Sequence, residues 1–377
     1  MKKLPPLSLY IHIPWCTKKC PYCDFSSFPV KENIPEKKYI DHLLKDLYSN
    51  KKHYLNREIK TIFIGGGSPS LFSEKGIQFL IKEIKKNIFL SKNAEITIEV
   101  NPNTTESNKI LNYLNSGINR ISIGIQSFDS KLLKNIGRIH NSHETKNVIK
   151  QLVKIPNINF NVDLMYGLPN QSIKQGILDL KTAIKFQPKH ISWYQLTIEP
   201  KTLFFYKTPK LPSEESSWKI LQEGKKILKK LNYKQYEISS YSKKGYQCQH
   251  NLNYWKYGDY LGIGCASHSK ITKENGSIIR IVKKNKIKKY MEEKCYIEKI
   301  ELIKKKKRIF EYFVNNFRLF QSISKKHFYE FTGIKPKKIN VEINKAKKKG
   351  YLIETKKNWK TTNNGKLFLN DLLEIFL

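Results

Sequence analysis

No apolar run in this 377-residue chain comes near the ~18 consecutive residues that a membrane-spanning helix needs, so no transmembrane helix is expected. Cysteine is scarce. Six in the whole chain are too few for a disulfide-stapled secreted domain, and no signal peptide is read at the N-terminus. Free cysteines without a targeting segment fit a reducing cytoplasm, which is the expected compartment. Acidic residues are also in short supply: 32 Asp and Glu stand against 70 Lys and Arg, a formal charge of +38. Such an excess suits nucleic acid or an anionic membrane surface. The lysines, however, are spread along the chain rather than gathered in one patch. Runs at 304–308 and 347–349 read as solvated helix faces, so no specific nucleic-acid partner is expected. A weak attraction to acidic membranes is kept as a side expectation, and so is a homodimer. No internal repeat or low-complexity tract occurs, which sets solenoids aside.

What is present is enough for a large core: 39% of residues are hydrophobic and 12% aromatic. The length predicts one large domain plus one or two smaller ones. Strand-like runs at 7–13, 60–64, 95–100, 120–125, 159–165 and 190–196 alternate with amphipathic stretches at 39–55, 74–88, 106–115, 143–153 and 173–186. That alternation predicts βα units and a parallel sheet. Six units are too few for a closed eight-stranded barrel and suit a partial one, with ligand loops at the C-terminal strand ends. A linker at 209–212 and a helix at 214–231 follow. Residues 233–281 are aromatic and glycine-rich without a clear period. Beyond 297 the pattern predicts helices at 301–320, 324–331 and 336–349, a hairpin at 351–354 and 358–361, and a last helix at 365–376. Three helices, a wing and a closing helix are winged-helix-like, which suits DNA binding or a packing module. The expected division is 1–232, 233–296 and 297–377.

Three of the six cysteines, Cys16, Cys20 and Cys23, sit within eight residues just after the first strand. Iron–sulfur clusters are usually held by four cysteines. A loop that offers three can hold three corners of a four-iron cluster and leaves one iron open to an exchangeable ligand. A zinc site is the alternative, with His12 nearby, but the spacing fits paired Cys-x-x-Cys units poorly. The second strand ends in Gly65-Gly66-Gly67-Ser68, where glycine lets backbone approach a polar ligand. Glu99, Gln126 and Asp163 lie at or near the ends of the next three strands. Polar groups in buried strands need partners, either Arg120 and Arg138 or a shared polar ligand.

The segments Ser8-Leu9-Tyr10-Ile11-His12-Ile13-Pro14-Trp15-Cys16, Phe63-Ile64-Gly65-Gly66-Gly67, Asn119-Arg120-Ile121-Ser122-Ile123-Gly124-Ile125-Gln126-Ser127-Phe128 and Gln249-His250-Asn251-Leu252-Asn253-Tyr254-Trp255 together resemble one family. It is the HemW-type heme chaperones of the radical S-adenosylmethionine superfamily, long labelled oxygen-independent coproporphyrinogen III oxidase-like. The resemblance runs from residue 4 to the C-terminus. It implies an α/β fold: a partial six-unit (β/α) barrel with a C-terminal α+β winged-helix-like part. It also implies that Cys16, Cys20 and Cys23 ligate a [4Fe–4S] cluster, with S-adenosylmethionine chelating the fourth iron. The contacts to this cofactor map onto Tyr10, Tyr22, Gly66, Gly67, Ser68, Glu99, Gln126, Arg138 and Asp163.

By the same resemblance, heme is bound and delivered to apo-hemoproteins, and His250 among its aromatic neighbours is the first candidate ligand. Cys248, Cys265 and His268 stand near it. The family's Gly-Cys-Gly-Ala-His-Gly is Gly264-Cys265-Ala266-Ser267-His268-Ser269 here, so no role is carried to Cys265 or His268. The alternative is a coproporphyrinogen III dehydrogenase of porphyrin metabolism. Such enzymes carry a further cysteine two residues after the third, where this chain has Phe25, and an N-terminal extension before the first strand. A third reading is a DNA-binding regulator with an iron–sulfur sensor. No catalytic residue is assigned.

Overall fold

Runs rich in isoleucine and other large apolar residues build the centre of the molecule, because β-branched and aromatic residues suit a pleated, buried surface. In the computed structural model, which describes residues 4–102, 109–292 and 295–377, these runs are β1 (Leu7–Ile13), β2 (Ile59–Gly66), β3 (Leu90–Val100), β4 (Arg120–Gln126), β5 (Phe160–Tyr166) and β6 (His190–Gln195). They pair in parallel and in chain order. Amphipathic helices connect them, among them α1 (Glu36–Ser49), α2 (Glu74–Asn87), α3 (Ser142–Leu152) and α4 (Ile173–Lys185). Capping boxes start α3 at Asn141 with Glu144 and α4 at Ser172 with Gln175, each satisfying otherwise orphaned amides. The expected helix at 106–115 is present as Ile110–Asn115, and its first residues lie outside the described ones.

The two-residue period of each strand divides its side chains between two faces. Ile121, Ile123 and Ile125 enter the hydrophobic core, while Arg120, Ser122, Gly124 and Gln126 alternate with them on the other face. Strands β1 and β5 do the same, with Ser8, Tyr10 and His12, and with Asn161 and Asp163, opposite core residues. The face away from the helices is therefore polar, and it is this face that the site uses.

The sheet does not stop at the six units. Past β6 lie β7 (Lys234–Glu237) and β8 (Ser240–Ser242). On the other side β9 (Asp259–Ile263) pairs in parallel with β1, and β10 (His268–Thr272), β11 (Ile278–Lys283) and β12 (Ile297–Leu302) continue antiparallel. The result is a 12-stranded sheet in the order β12-β11-β10-β9-β1-β2-β3-β4-β5-β6-β8-β7. This corrects the sequence reading on two counts. Residues 233–281 hold regular strands, and residues 301–302 end a strand instead of opening a helix.

Buried charge pins this extension to the barrel. Asp259 takes hydrogen bonds from Arg57 at 2.9 Å, from Lys270 at 2.9 Å and from the amide and hydroxyl of Thr272 at 2.9 and 2.8 Å. Asp46 of α1 pairs with Lys283 of β11 and accepts from Gly264 N–H and Tyr290 O–H.

Between β8 and β9 runs the short helix α5 (Gln249–Trp255), packed on β1, β2 and β9. The C-terminal part starts with α6 (Lys305–Asn316), followed by helices Lys325–Thr332 and Asn340–Lys348. Its small antiparallel sheet has three strands, Ile323–Ser324, Asn358–Thr361 and Leu352–Glu354, one more than the expected hairpin. The closing helix is broken at Phe368 into Asn363–Leu367 and Leu369–Glu374. Phe313, Phe317, Phe328, Trp359 and Phe376 form its own aromatic core.

Candidate functional site

The cysteine loop leaves β1 at Pro14 and is stitched back at both ends. Trp15–Cys16 pairs in parallel with Phe28–Pro29, and Phe28 N–H donates to Pro14 O at 2.7 Å. Inside the loop Lys19 Nζ donates to the carbonyls of Phe25 and Ser27 at 3.0 and 3.3 Å. A turn from Cys20 O to Cys23 N–H, 3.1 Å, sets the last two thiols on one side. His12 anchors the loop from below, its Nε2 2.9 Å from Ser26 O and its Nδ1 2.9 Å from the Tyr10 hydroxyl. All three cysteines are free thiols. Burial pushes Cys16 and Cys23 above the ordinary thiol range.

The thiols open into a cavity of about 490 Å³, and the C-terminal strand ends form its wall. Gly67 passes so close to the loop that an added Cβ would lie 2.3 Å from Trp15 O, and Gly66 has φ +118°. Both positions need glycine, and their backbone is thereby exposed to the cavity. Gly66 N–H donates to Glu99 Oε2 at 3.1 Å. Burial, and after it the nearby Asp163 carboxylate, push Glu99 up to about 7. Burial raises Asp163 as well, against hydrogen bonds from Ser122 at 3.2 Å and Asn161 at 2.7 Å. Neither carboxylate is in an ion pair with Arg120 or Arg138 among the described residues. Arg138 instead donates to Asn101 at 2.9 Å and to Gly124 O at 2.7 Å, with Nη1 3.9 Å from Cys20 Sγ. Gln126, at the irregular end of β4, holds φ +69° and accepts from Tyr194 O–H at 3.0 Å. A non-glycine residue there is strained, as is common where a side chain is aimed at a ligand.

Tyr22, Gly66, Gly67, Ser68, Glu99, Gln126, Arg138 and Asp163 thus line the same cavity as Cys16, Cys20 and Cys23. Tyr10 and His250 do not: they stand behind its wall, with ring centroids 6.4 Å apart and Phe63 5.0 Å from His250. Glu95 caps the start of α5, accepting from the amides of Gln249 and His250 at 3.0 and 3.1 Å. Thr61 directs its hydroxyl hydrogen to Ser8 and so accepts from His250 Nδ1–H at 2.8 Å. That pairing leaves the Nε2 lone pair of His250 unprotonated. Burial, followed by the Arg120 charge, lowers His250 to about 3, so the ring is neutral. Cys248 is buried against Glu95, while His268 sits on β10.

Sequence reasoning missed Asn101, Ser122, Ser192 and Tyr194 in this wall. Asn101 lies two residues beyond Glu99, and Ser192 and Tyr194 alternate on β6, so the same period-2 rule could have found them. It also missed Glu237 and Arg318, which no local pattern marks, while Trp255 was marked only as an aromatic neighbour of His250.

Do these residues fit a cluster and a sulfonium nucleotide? Among the described residues, no three His, Cys, Asp or Glu side chains converge closely enough to hold a single metal ion. Zinc needs its donors at one centre, whereas a four-iron cluster takes thiolates at separate corners. Arg138 Nε is buried without a partner, which leaves a donor for an anionic group.

The radical SAM superfamily model matches residues 10–180, and the HemN C-terminal domain model matches residues 303–368. The chain is 54% identical to the heme chaperone HemW of Buchnera aphidicola subsp. Schizaphis graminum over the full length of both. It is 47% identical, again over both full lengths, to the heme chaperone HemW of Escherichia coli. Among solved structures, the coproporphyrinogen III oxidase HemN of Escherichia coli, described as a radical SAM enzyme, superposes with a TM-score of 0.84 at 20% identity. That superposition covers 99% of this chain and 90% of the other, a likeness of fold.

Proposed function

Because the chain belongs to the HemW heme-chaperone family of the radical S-adenosylmethionine superfamily, we propose that it binds heme and delivers it to apo-hemoproteins, on a scaffold that holds a [4Fe–4S] cluster with exchangeable S-adenosylmethionine. The observation that carries the reading is the meeting of three free thiols, a glycine cradle and the α5 segment around one cavity. Cys16, Cys20 and Cys23 would hold the cluster. When bound, cluster and S-adenosylmethionine supply one-electron chemistry. Arg138 offers its free Nε to the methionyl carboxylate. Gly66 and Gly67 admit the amine, and Glu99 and Asp163 accept from amine or ribose hydroxyls. Residues 1–232 carry this part, residues 233–296 the heme motif, and residues 297–377 close the molecule.

His250 is the proposed heme ligand. Its Nδ1–H is directed to Thr61, which orients the ring and leaves Nε2 as the donor atom for iron. His250 adjoins Asn251, which lines the cavity. Heme titrated into the wild-type protein is expected to bind with saturable absorption changes. The His250→Ala protein should bind at least about tenfold more weakly with an altered spectrum. An unchanged spectrum in that variant would assign the iron to another ligand. Turnover of coproporphyrinogen III at an enzymatic rate would replace the chaperone reading with the dehydrogenase.

The Glu99 environment predicts a pH dependence. The ionised carboxylate is the stronger acceptor and attracts a cationic ligand, so ligand binding favours deprotonation. With Glu99 at about 7 in the free protein, S-adenosylmethionine affinity should fall as pH drops through 7, to about tenfold weaker at pH 6 than at pH 8. Equilibrium dialysis on reconstituted protein checks this, and Glu99→Gln should flatten the profile.

A further inference from the structure

One part of the cavity wall carries none of the residues assigned above: Glu237, Trp255 and Arg318. Arg318 arrives from the C-terminal part. It follows α6, and a β-bridge between Leu319 and Glu237, with Phe320 N–H donating to Tyr236 O at 3.0 Å, lays its segment beside β7. The guanidinium carbon sits 4.4 Å from the centre of the Trp255 ring. Its Nη2 is 3.7 Å from Glu237 Oε2, too far for a hydrogen bond. Arg318 Nε and that Glu237 oxygen are both buried with no hydrogen-bond partner, and Glu237 is only 3% exposed. Buried polar atoms are ordinarily satisfied, so the unsatisfied Nε of a guanidinium side chain that lines a cavity marks a place for an acceptor.

The chemistry of that acceptor follows from the surroundings. A guanidinium fork matches a carboxylate through two parallel hydrogen bonds. Glu237 can stay on the Nη2 edge while an incoming carboxylate takes the free Nε edge. Trp255, which carries the guanidinium on one face of its ring, lines the same cavity and sets aromatic surface beside the anchor for a flat ring to meet. We propose that Arg318, flanked by Trp255 and Glu237, anchors a carboxylate borne by a planar macrocycle, namely a propionate of heme. This rests on the heme reading given above and adds to it a residue that selects the acid side chain.

The test compares heme with heme dimethyl ester, whose propionates are capped. Both are titrated into full-length wild-type, Arg318→Gln and Arg318→Lys proteins, followed by absorption and tryptophan fluorescence. Wild type should prefer heme by about tenfold or more. Arg318→Gln should bind both ligands with the affinity that wild type has for the ester, and Arg318→Lys should restore part of the preference. Equal affinity of wild type for the two ligands, or a full preference surviving in Arg318→Gln, overturns the assignment. The wild-type comparison needs no variant, so a folding defect in the substitutions leaves the test intact. Binding of heme without discrimination removes the subsite alone, whereas failure of wild type to bind either ligand removes the heme reading and this inference with it.

Discussion

Cys20→Ala is expected to abolish cluster assembly: iron and sulfide after anaerobic reconstitution should fall from about four of each per chain to less than about one. Two thiolates on one loop cannot hold three corners, and among the described residues no other cysteine lines the cavity to stand in. Cys20 is the informative choice of the three. It is partly exposed at a turn, whereas Cys16 is buried in the strand pair that closes the loop, where substitution would also disturb folding. Cys295→Ala serves as the control, because that thiol is exposed and away from the cavity, and it should leave iron unchanged. S-adenosylmethionine affinity should collapse with the cluster. Full iron and sulfide in Cys20→Ala, or zinc in place of iron in wild type, would overturn the assignment of the loop.

The second large effect concerns folding. Asp259→Ala should destabilise the protein by about 3–5 kcal/mol, read from chemical denaturation. Asp259 is fully buried and receives Arg57, Lys270 and Thr272, and the Lys270 side chain is only 1% exposed. Without the carboxylate, Lys270 keeps the carbonyls of Tyr257 and Gly258 and the face of the Tyr257 ring, but no counter-charge. Removing one partner of a buried pair leaves the other desolvated and unpaired, which costs more than the pair contributes. The double replacement Asp259→Leu with Lys270→Met should recover part of the loss, since the fully buried pair then goes together while Arg57 keeps only the Pro5 carbonyl. A loss below about 1 kcal/mol in Asp259→Ala would mean that the pair does little for the fold.

The regularity of the six central strands made them readable. Each repeats apolar residues every second position between long amphipathic helices, so both periods are visible. Residues 233–281 hid their strands for a physical reason. Ser240, Tyr241 and Ser242 of β8 are all buried, and β10 buries Ser269, Lys270 and Thr272, so no apolar–polar alternation marks either. Their polar groups are satisfied at a distance, Lys270 by Asp259 and Ser269 by Gly262, which a local reading does not see. The site divides in the same way. The cysteine loop is local in sequence and legible at once, and Glu99, Gln126 and Asp163 follow from strand ends. Arg318 reaches the cavity only because a bridge brings a distant segment beside Glu237. Nothing around it in sequence announces that.

The 12-stranded sheet also has to end somewhere. One border is β12, whose Glu298, Lys299 and Glu301 are charged and whose backbone, among the described residues, has a strand partner on one side only, β11. An unpaired border of hydrogen-bonding groups is a template for addition of foreign strands, and ionised side chains along it make docking costly. These charged residues therefore set a cost on the growth of fibres from this border.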